Sequence, residues 1–270
     1  MQVAVVGHVE WVEFARVHHV PVPGEIVHAL ETWQEPAGGG AVAAVQLARL
    51  AGECLFLTAL GDDELGHRSA RELEELGVRV ETAWRPEPQR RAFVHVDAVA
   101  ERTITVIGER MGPHGDDPLP WDELADVDAV YFTAGDAEAL RAARAARQLV
   151  ATTRANEVLV PAQVQLDMLV RSARDPGEQY VELKPPPRFV AETEGMAGGT
   201  LVSADGTATH WTAAPLPGPA VDAYGAGDSF AAGLTYGLAK GLEPFEAVGL
   251  GARCGAVCIT GRGPYGASVR

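Results

Sequence analysis

Asp222-Ala223-Tyr224-Gly225-Ala226-Gly227-Asp228-Ser229-Phe230 is the stretch on which the reading of this chain turns. Apolar Ala220 and Val221 lead into it, and Ser229 to Lys240 follow with the spacing of an amphipathic helix. A glycine-rich turn therefore opens onto a helix. The amides of Gly225, Ala226 and Gly227 are expected to lie free at the helix N-terminus, where the macrodipole also favours negative charge. Asp228 sets a carboxylate beside that anion pocket. Phosphoryl transfer to a hydroxyl needs both parts: donors for the charge on the moving group, and a carboxylate to take the hydroxyl proton. Taken alone, the same residues also describe a tight loop-to-helix turn with an acidic first turn.

The rest of the composition narrows the field. A chain of 270 residues with 47% hydrophobic content suits one α/β domain, residues 1–270, with a small appended lid. No apolar run approaches the ~18–20 residues of a membrane span. Met1 to Gly7 reads as a first buried strand rather than a signal peptide. A net charge of −15 argues against nucleic-acid and membrane partners. Cys54, Cys254 and Cys258 form no disulfide framework and no zinc pattern, which points to buried thiols in a reducing cytoplasm. Lys184 and Lys240 are the only lysines, and no G-x-x-x-x-G-K-[ST] segment occurs, which excludes a P-loop enzyme. The strand lysine and the H-R-D and D-F-G motifs of protein kinases are absent too.

Strand and helix patterns alternate along the chain. Strands are expected at 3–6, 53–60, 128–133, 148–153, 166–170 and 188–193. Helices are expected at 40–50, 63–76, 137–147, 229–240 and 244–260. That rhythm argues for an α/β fold: a mainly parallel sheet with helices on both faces. Two regions, about 10–35 and 90–107, alternate with period two around turns at Pro23-Gly24 and 97–102, and read as a small β lid.

The nonapeptide resembles the C-terminal signature of the ribokinase-like (PfkB) family of carbohydrate kinases, D-T-x-G-A-G-D-x-F. It matches at Asp222, Gly225, Ala226, Gly227, Asp228 and Phe230, with Ala223 in place of Thr. Gly38-Gly39-Gly40, followed by an alanine-rich helix ending in Ala48-Arg49-Leu50, is similar to the family's N-terminal signature. Gly61-Asp62-Asp63-Glu64-Leu65-Gly66 is similar to its G-x-D-x-x-G. Leu166 to Asp175 resembles the strand that ends in N-x-x-E, with Ser172 for Asn and Asp175 for Glu. Thr193-Glu194-Gly195 and Gly198 resemble the turn bordering the ATP phosphates, and a ligand-free hairpin turn is the other reading of that stretch.

The resemblance implies a ribokinase-like fold and ATP-dependent phosphorylation of a hydroxyl on a sugar or sugar-containing molecule. A nucleoside kinase of the same fold and a non-catalytic family member are its alternatives. It implies Asp228 as base and Gly225, Ala226 and Gly227 as the anion hole. Ser172, Thr193, Gly195 and Gly198 fall on the ATP side, and Asp175 near Mg²⁺. Gly38, Gly39, Gly40 and Arg102 fall on the acceptor side. A monovalent cation is a further candidate, with Ala223 replacing a Thr near its site. Two departures concern the acceptor. Val42 stands where the family has an Asn, and the usual Asp past the first strand is missing, leaving Glu10 or Glu13, with Glu13 favoured by spacing. Arg16, Arg102 and Arg110 are candidates for a phosphate or carboxylate. Trp11, Trp33 and Phe93 are candidates to stack on a base. The lid is expected to cover the acceptor, and can also close a homodimer.

Overall fold

The computed structural model describes residues 1–269. Continuous apolar runs make strands that need cover on both faces. Val3–His8 (β1) is buried at every residue, and Cys54–Gly61 (β4) likewise. They pair in parallel, and Ala129–Phe132 (β8) joins β1 on its other side. Val78–Arg85 (β5), Gln148–Thr152 (β9), Met168–Ser172 (β10) and Phe189–Thr193 (β11) extend the parallel sheet. The antiparallel strands Gly199–Ser203 (β12) and Ala208–Trp211 (β13) complete a nine-stranded order β13-β12-β11-β10-β9-β8-β1-β4-β5.

Helices Gly39–Ala51 (α1), Glu64–Glu75 (α2), Ala226–Ala239 (α5) and Pro244–Cys258 (α6) cover one face, packing Leu47, Leu73, Phe230 and Val248 against Val3, Val5 and Phe56. Ala137–Ala143 (α3) and Asn156–Ala162 (α4) cover the other, where Leu140 and Leu159 meet Val6, Leu57 and Leu169. The expected mainly parallel sheet with helices on both faces is present.

Some elements depart from the sequence expectation. The segment 78–85, left unassigned, is the sheet's edge strand, and the charges that obscured it sit on that edge. The helix expected over 137–147 stops at Ala143. There the amides of Arg144, Ala145 and Ala146 turn back to the carbonyls of Arg141, Ala142 and Ala143, and the Arg144 guanidinium is drawn to Asp167, 2.7 Å away. Helix α4 and the β12–β13 hairpin were not expected. Pro161 lies inside α4, a position that reads as a helix break.

A second sheet stands off the first. Glu10–Arg16 (β2), Glu31–Ala37 (β3), Arg91–Val96 (β6) and Arg102–Ile107 (β7) pair in the order β3-β2-β6-β7. The strands lie at the two regions read as a lid, with β3 running two residues past the first, to Ala37. Its inner face carries Val12, Phe14, Ala92, Val94 and Val96, which pack on Val42 of α1 and on Tyr224.

Helix α1 approaches β1 so closely that a Cβ on Gly40 would lie 2.6 Å from the His8 carbonyl and 2.8 Å from its amide. Both are backbone atoms and cannot rotate away. Gly40→Ala is therefore expected to lower unfolding free energy by roughly 1–3 kcal/mol, measured by urea denaturation. Gly52→Ala meets no atom within 4 Å, yet its φ of 94° strains any side chain, so it separates conformational from steric cost.

Candidate active site

Two helix N-termini face one another at the C-terminal edge of the parallel strands, where α/β sheets place their ligand clefts. Helix α1 begins after Gly38, whose φ of 86° only glycine adopts readily. The Gly38 amide donates to the Tyr224 hydroxyl at 3.2 Å. A Cβ on Gly39 would lie 2.9 Å from Asp228 Oδ1 and 3.5 Å from His8 Cε1. Hence the first turn of α1 touches both the Asp228 carboxylate and the His8 ring.

Across from it runs the nonapeptide. Asp222 is fully buried and accepts from the Tyr224 amide at 2.8 Å and the Gly263 amide at 3.0 Å, tying the loop to the turn after α6. Gly225, at φ 78°, is the N-cap of α5, so the helix starts at Ala226 rather than at the expected Ser229. That shift alters the set of free donors. The Ala226 amide lies 3.4 Å from the Ala223 carbonyl, whereas those of Gly225, Gly227 and Asp228 have no acceptor among the described residues. Gly227 borders open space, with no atom within 4 Å of where its Cβ would be.

The helix dipole by itself would keep Asp228 readily ionised. Burial instead pushes its carboxyl up to about 6. Arg154 and Arg102 pull it back, while Glu178 and Glu10 oppose them. Desolvation outweighs the dipole, and the group ionises fully only near neutrality.

On the nucleotide side, Ser172 and Thr193 face each other in the β10–β11 register. Asp175 accepts from the Gly177 amide at 2.8 Å and pairs with the Arg154 guanidinium. Glu178 lies deeper, its side chain 13% exposed against 32% for Asp175. It accepts from the Ser172 amide at 2.6 Å and pairs with Arg154 Nε at 2.9 Å. The sequence reading passed over Glu178, because the turn Asp175-Pro176-Gly177 puts it six residues beyond Ser172 rather than three. Gly195, at φ 64°, faces the Arg174 guanidinium. Gly198 closes the β11–β12 hairpin against Trp211, whose carbonyl a Cβ would overlap, so the hairpin alone accounts for that glycine.

On the acceptor side, strand alternation divides the two glutamates. Glu10 is 7% exposed, bonds Arg90 Nε at 2.7 Å and lies 4.0 Å from His8. Glu13 belongs to the opposite face of β2 with Trp11, is half-exposed, and lies 3.9 Å from Arg91. The structure thus brings Glu10, not Glu13, to the cleft. Val42 is buried beneath the lid and near Gly225. Arg102 is exposed at the start of β7, and its charge reaches Asp228 and Asp222. Arg16 donates to the Val221 carbonyl at 3.2 Å. The lid aromatics are otherwise engaged: Trp33 stacks on Phe14 at 4.7 Å and Trp11 packs under Arg68, while Phe93 sits on the same face as Glu13. His8, 6% exposed and held well below the usual imidazole range by burial, was not singled out from sequence. Its position directly after Gly7 at the end of β1 was the available signal.

The family model for "pfkB family carbohydrate kinase" matches residues 1–174 and 157–269. An ATP-dependent ribose-1-phosphate kinase of Halopiger xanaduensis is 28% identical over 253 residues, covering 84% of this chain and 81% of that one. A candidate ribokinase from Agrobacterium tumefaciens superposes with a TM-score of 0.81 at 25% identity, over 99% of this chain and 94% of the other. The Arabidopsis thaliana ribokinase, solved with ribose and ATP, gives 0.73 at 20% identity, over 97% and 93%.

The elevated Asp228 pKa carries a stability cost. Its value is about 6 in the fold against an ordinary 3.8, so the folded state prefers the protonated form. Stability from this group is full below pH ~4 and is lost as pH rises through about 6. Asp228→Asn is expected to stabilise the protein at pH 7.5 by up to ~3 kcal/mol. The gain should shrink towards zero at pH 4, as read by denaturant midpoints at both pH values.

Proposed function

The chain belongs to the pfkB family of carbohydrate kinases, and we propose that it transfers the γ-phosphoryl group of ATP to a hydroxyl of a phosphorylated pentose such as ribose 1-phosphate. It is a small-molecule kinase, and its family and the Halopiger relative support a sugar-type acceptor. The observation that carries the reading is the contact of Asp228 with the opening turn of α1, beside the free amides of Gly225 and Gly227.

The chemistry follows from these residues. The amides at the start of α5 receive the charge that develops on the transferred phosphoryl oxygens. Asp228 orients the acceptor hydroxyl and takes its proton as the bond to phosphorus forms. Ser172, Thr193 and Gly195 border the ATP phosphates. Glu178 and Asp175 offer the oxygen donors a hydrated Mg²⁺ requires, and Mg²⁺ bound there would neutralise charge on the polyphosphate. Arg154 holds both carboxylates in place. The lid's apolar inner face excludes water that would otherwise hydrolyse ATP. Strand β7 is exposed along its whole length and ends the small sheet, so a second copy pairing there would form the homodimer.

A nucleoside acceptor finds less support, since Trp33 and Trp11 are committed to packing. The non-catalytic alternative gives no reason for a carboxylate held at a desolvation cost.

Asp228→Asn should reduce turnover of ATP with ribose 1-phosphate by at least ~10²-fold while ATP binding persists. In the wild type, kcat/KM should fall as pH drops below about 6, because the base is then protonated. Near-normal turnover by the variant would remove Asp228 from the reaction. For the dimer, Ile104→Lys on β7 should yield a monomer in sedimentation velocity if the wild type sediments as a dimer.

A further inference from the structure

Three arginines from distant parts of the sequence act on one end of the cleft. Arg90 precedes β6, Arg110 lies in the connection after β7, and Arg154 lies in the turn after β9. The charges of all three bear on His8, and those of Arg90 and Arg154 bear on Arg110. In a chain of net charge −15 such a gathering is not a by-product of composition.

The three differ in their commitments. Arg90 is bridged to Glu10, and Arg154 to Glu178 and Asp175. Arg110 donates to the Arg154 carbonyl at 3.1 Å and has no carboxylate partner among the described residues. Glu10 and Glu157 act on it only through their charge, and burial beside two like charges holds its pKa below the ordinary value. A partly buried guanidinium among cations is unfavourable unless an anion completes the site. Arginine's planar fork suits a phosphate in that role.

Position says which phosphate. His8, Glu10 and Arg90 belong to the end of β1 and to the lid, and Arg154, after β9, closes the cluster from the side of Asp175 and Glu178. Ser172 and Thr193, at the ends of β10 and β11, lie beyond β8 and β9 in the sheet order. The His8 ring and the Asp228 carboxylate both touch the place a Gly39 Cβ would take, so the histidine on which the three charges bear lies beside the base. We propose that Arg110, flanked by Arg90 and Arg154, receives the phosphate ester of the acceptor, making the enzyme selective for phosphorylated over free pentoses. This assignment rests on the kinase reading above, but its binding half can be tested separately.

The test is calorimetric titration with ribose 1-phosphate, followed by steady-state kinetics, for the wild type, Arg110→Gln and Arg110→Lys. Thermal midpoints and ATP affinity verify folding. Arg110→Gln is expected to weaken ribose 1-phosphate binding and raise its KM by roughly 10–100-fold, leaving the KM for ATP within a few-fold. Arg110→Lys should recover part of the affinity, keeping charge but losing the fork. Unchanged ribose 1-phosphate affinity in folded Arg110→Gln overturns the proposal. So does a rise in the ATP KM alone, which would give the arginines to the nucleotide. Free ribose used as efficiently as ribose 1-phosphate also overturns it, while leaving the kinase reading intact. Loss of ribose 1-phosphate binding in Arg110→Gln, in a protein that phosphorylates no sugar, supports the socket and refutes the kinase reading.

Discussion

The structure depends on the meeting of α1 and α5, N-terminus to N-terminus, at the C-terminal edge of the sheet. Neither helix can be moved without losing the site. Gly39 lets α1 reach the Asp228 carboxylate, Gly40 lets it lie on β1, and Gly225 turns the chain into α5 where a Cβ would meet Pro264 at 2.8 Å. The fully buried Asp222 holds that turn against the loop after α6 through two amide donors. Two dipoles directed at one cleft make it receptive to anions, although the molecule as a whole is strongly acidic.

Net charge and site charge are therefore separate quantities here. The surplus carboxylates carry the −15, while the arginines that matter are collected at the cleft. Local focusing by a low-dielectric wall lets a few guanidinium groups dominate the field a phosphate meets. The same low dielectric raises the pKa of Asp228 and so stores part of the folding free energy as readiness to accept a proton. Stability is given up at the position where chemistry needs a desolvated carboxylate.

The small sheet is coupled to this site through packing. Phe14 meets the Tyr224 ring edge-on at 5.0 Å, and Tyr224 in turn receives the Gly38 amide. Val42 joins that cluster, which gives a physical account of its departure from the family Asn: the position serves the contact between lid and body. The adjacent connection is tied as well, since the Ala223 amide donates to the Ala100 carbonyl at 3.1 Å. A movement of the lid is thereby felt at the signature loop.

The sequence by itself determined the periodic and the local. Continuous apolar runs such as Val3–Val6 specify buried parallel strands, period-two stretches specify the second sheet, and Gly225 to Asp228 specify a turn into a helix with a carboxylate beside it. These features are set by neighbours in the chain, so they can be read along it. The tertiary structure decided which distant groups share space. It turned Glu10 inward and Glu13 outward, because the sheet to which β2 belongs fixes which face meets the body. It raised Asp228 by burial, which a linear sequence does not display. It brought Glu178 forward by folding the chain back at Pro176-Gly177, and it brought the charges of Arg90, Arg110 and Arg154 to bear on His8 from segments with no sequence relation. Desolvation and convergence are properties of the packed interior, and they exist only once the sheet, its helices and the small second sheet have closed on one another.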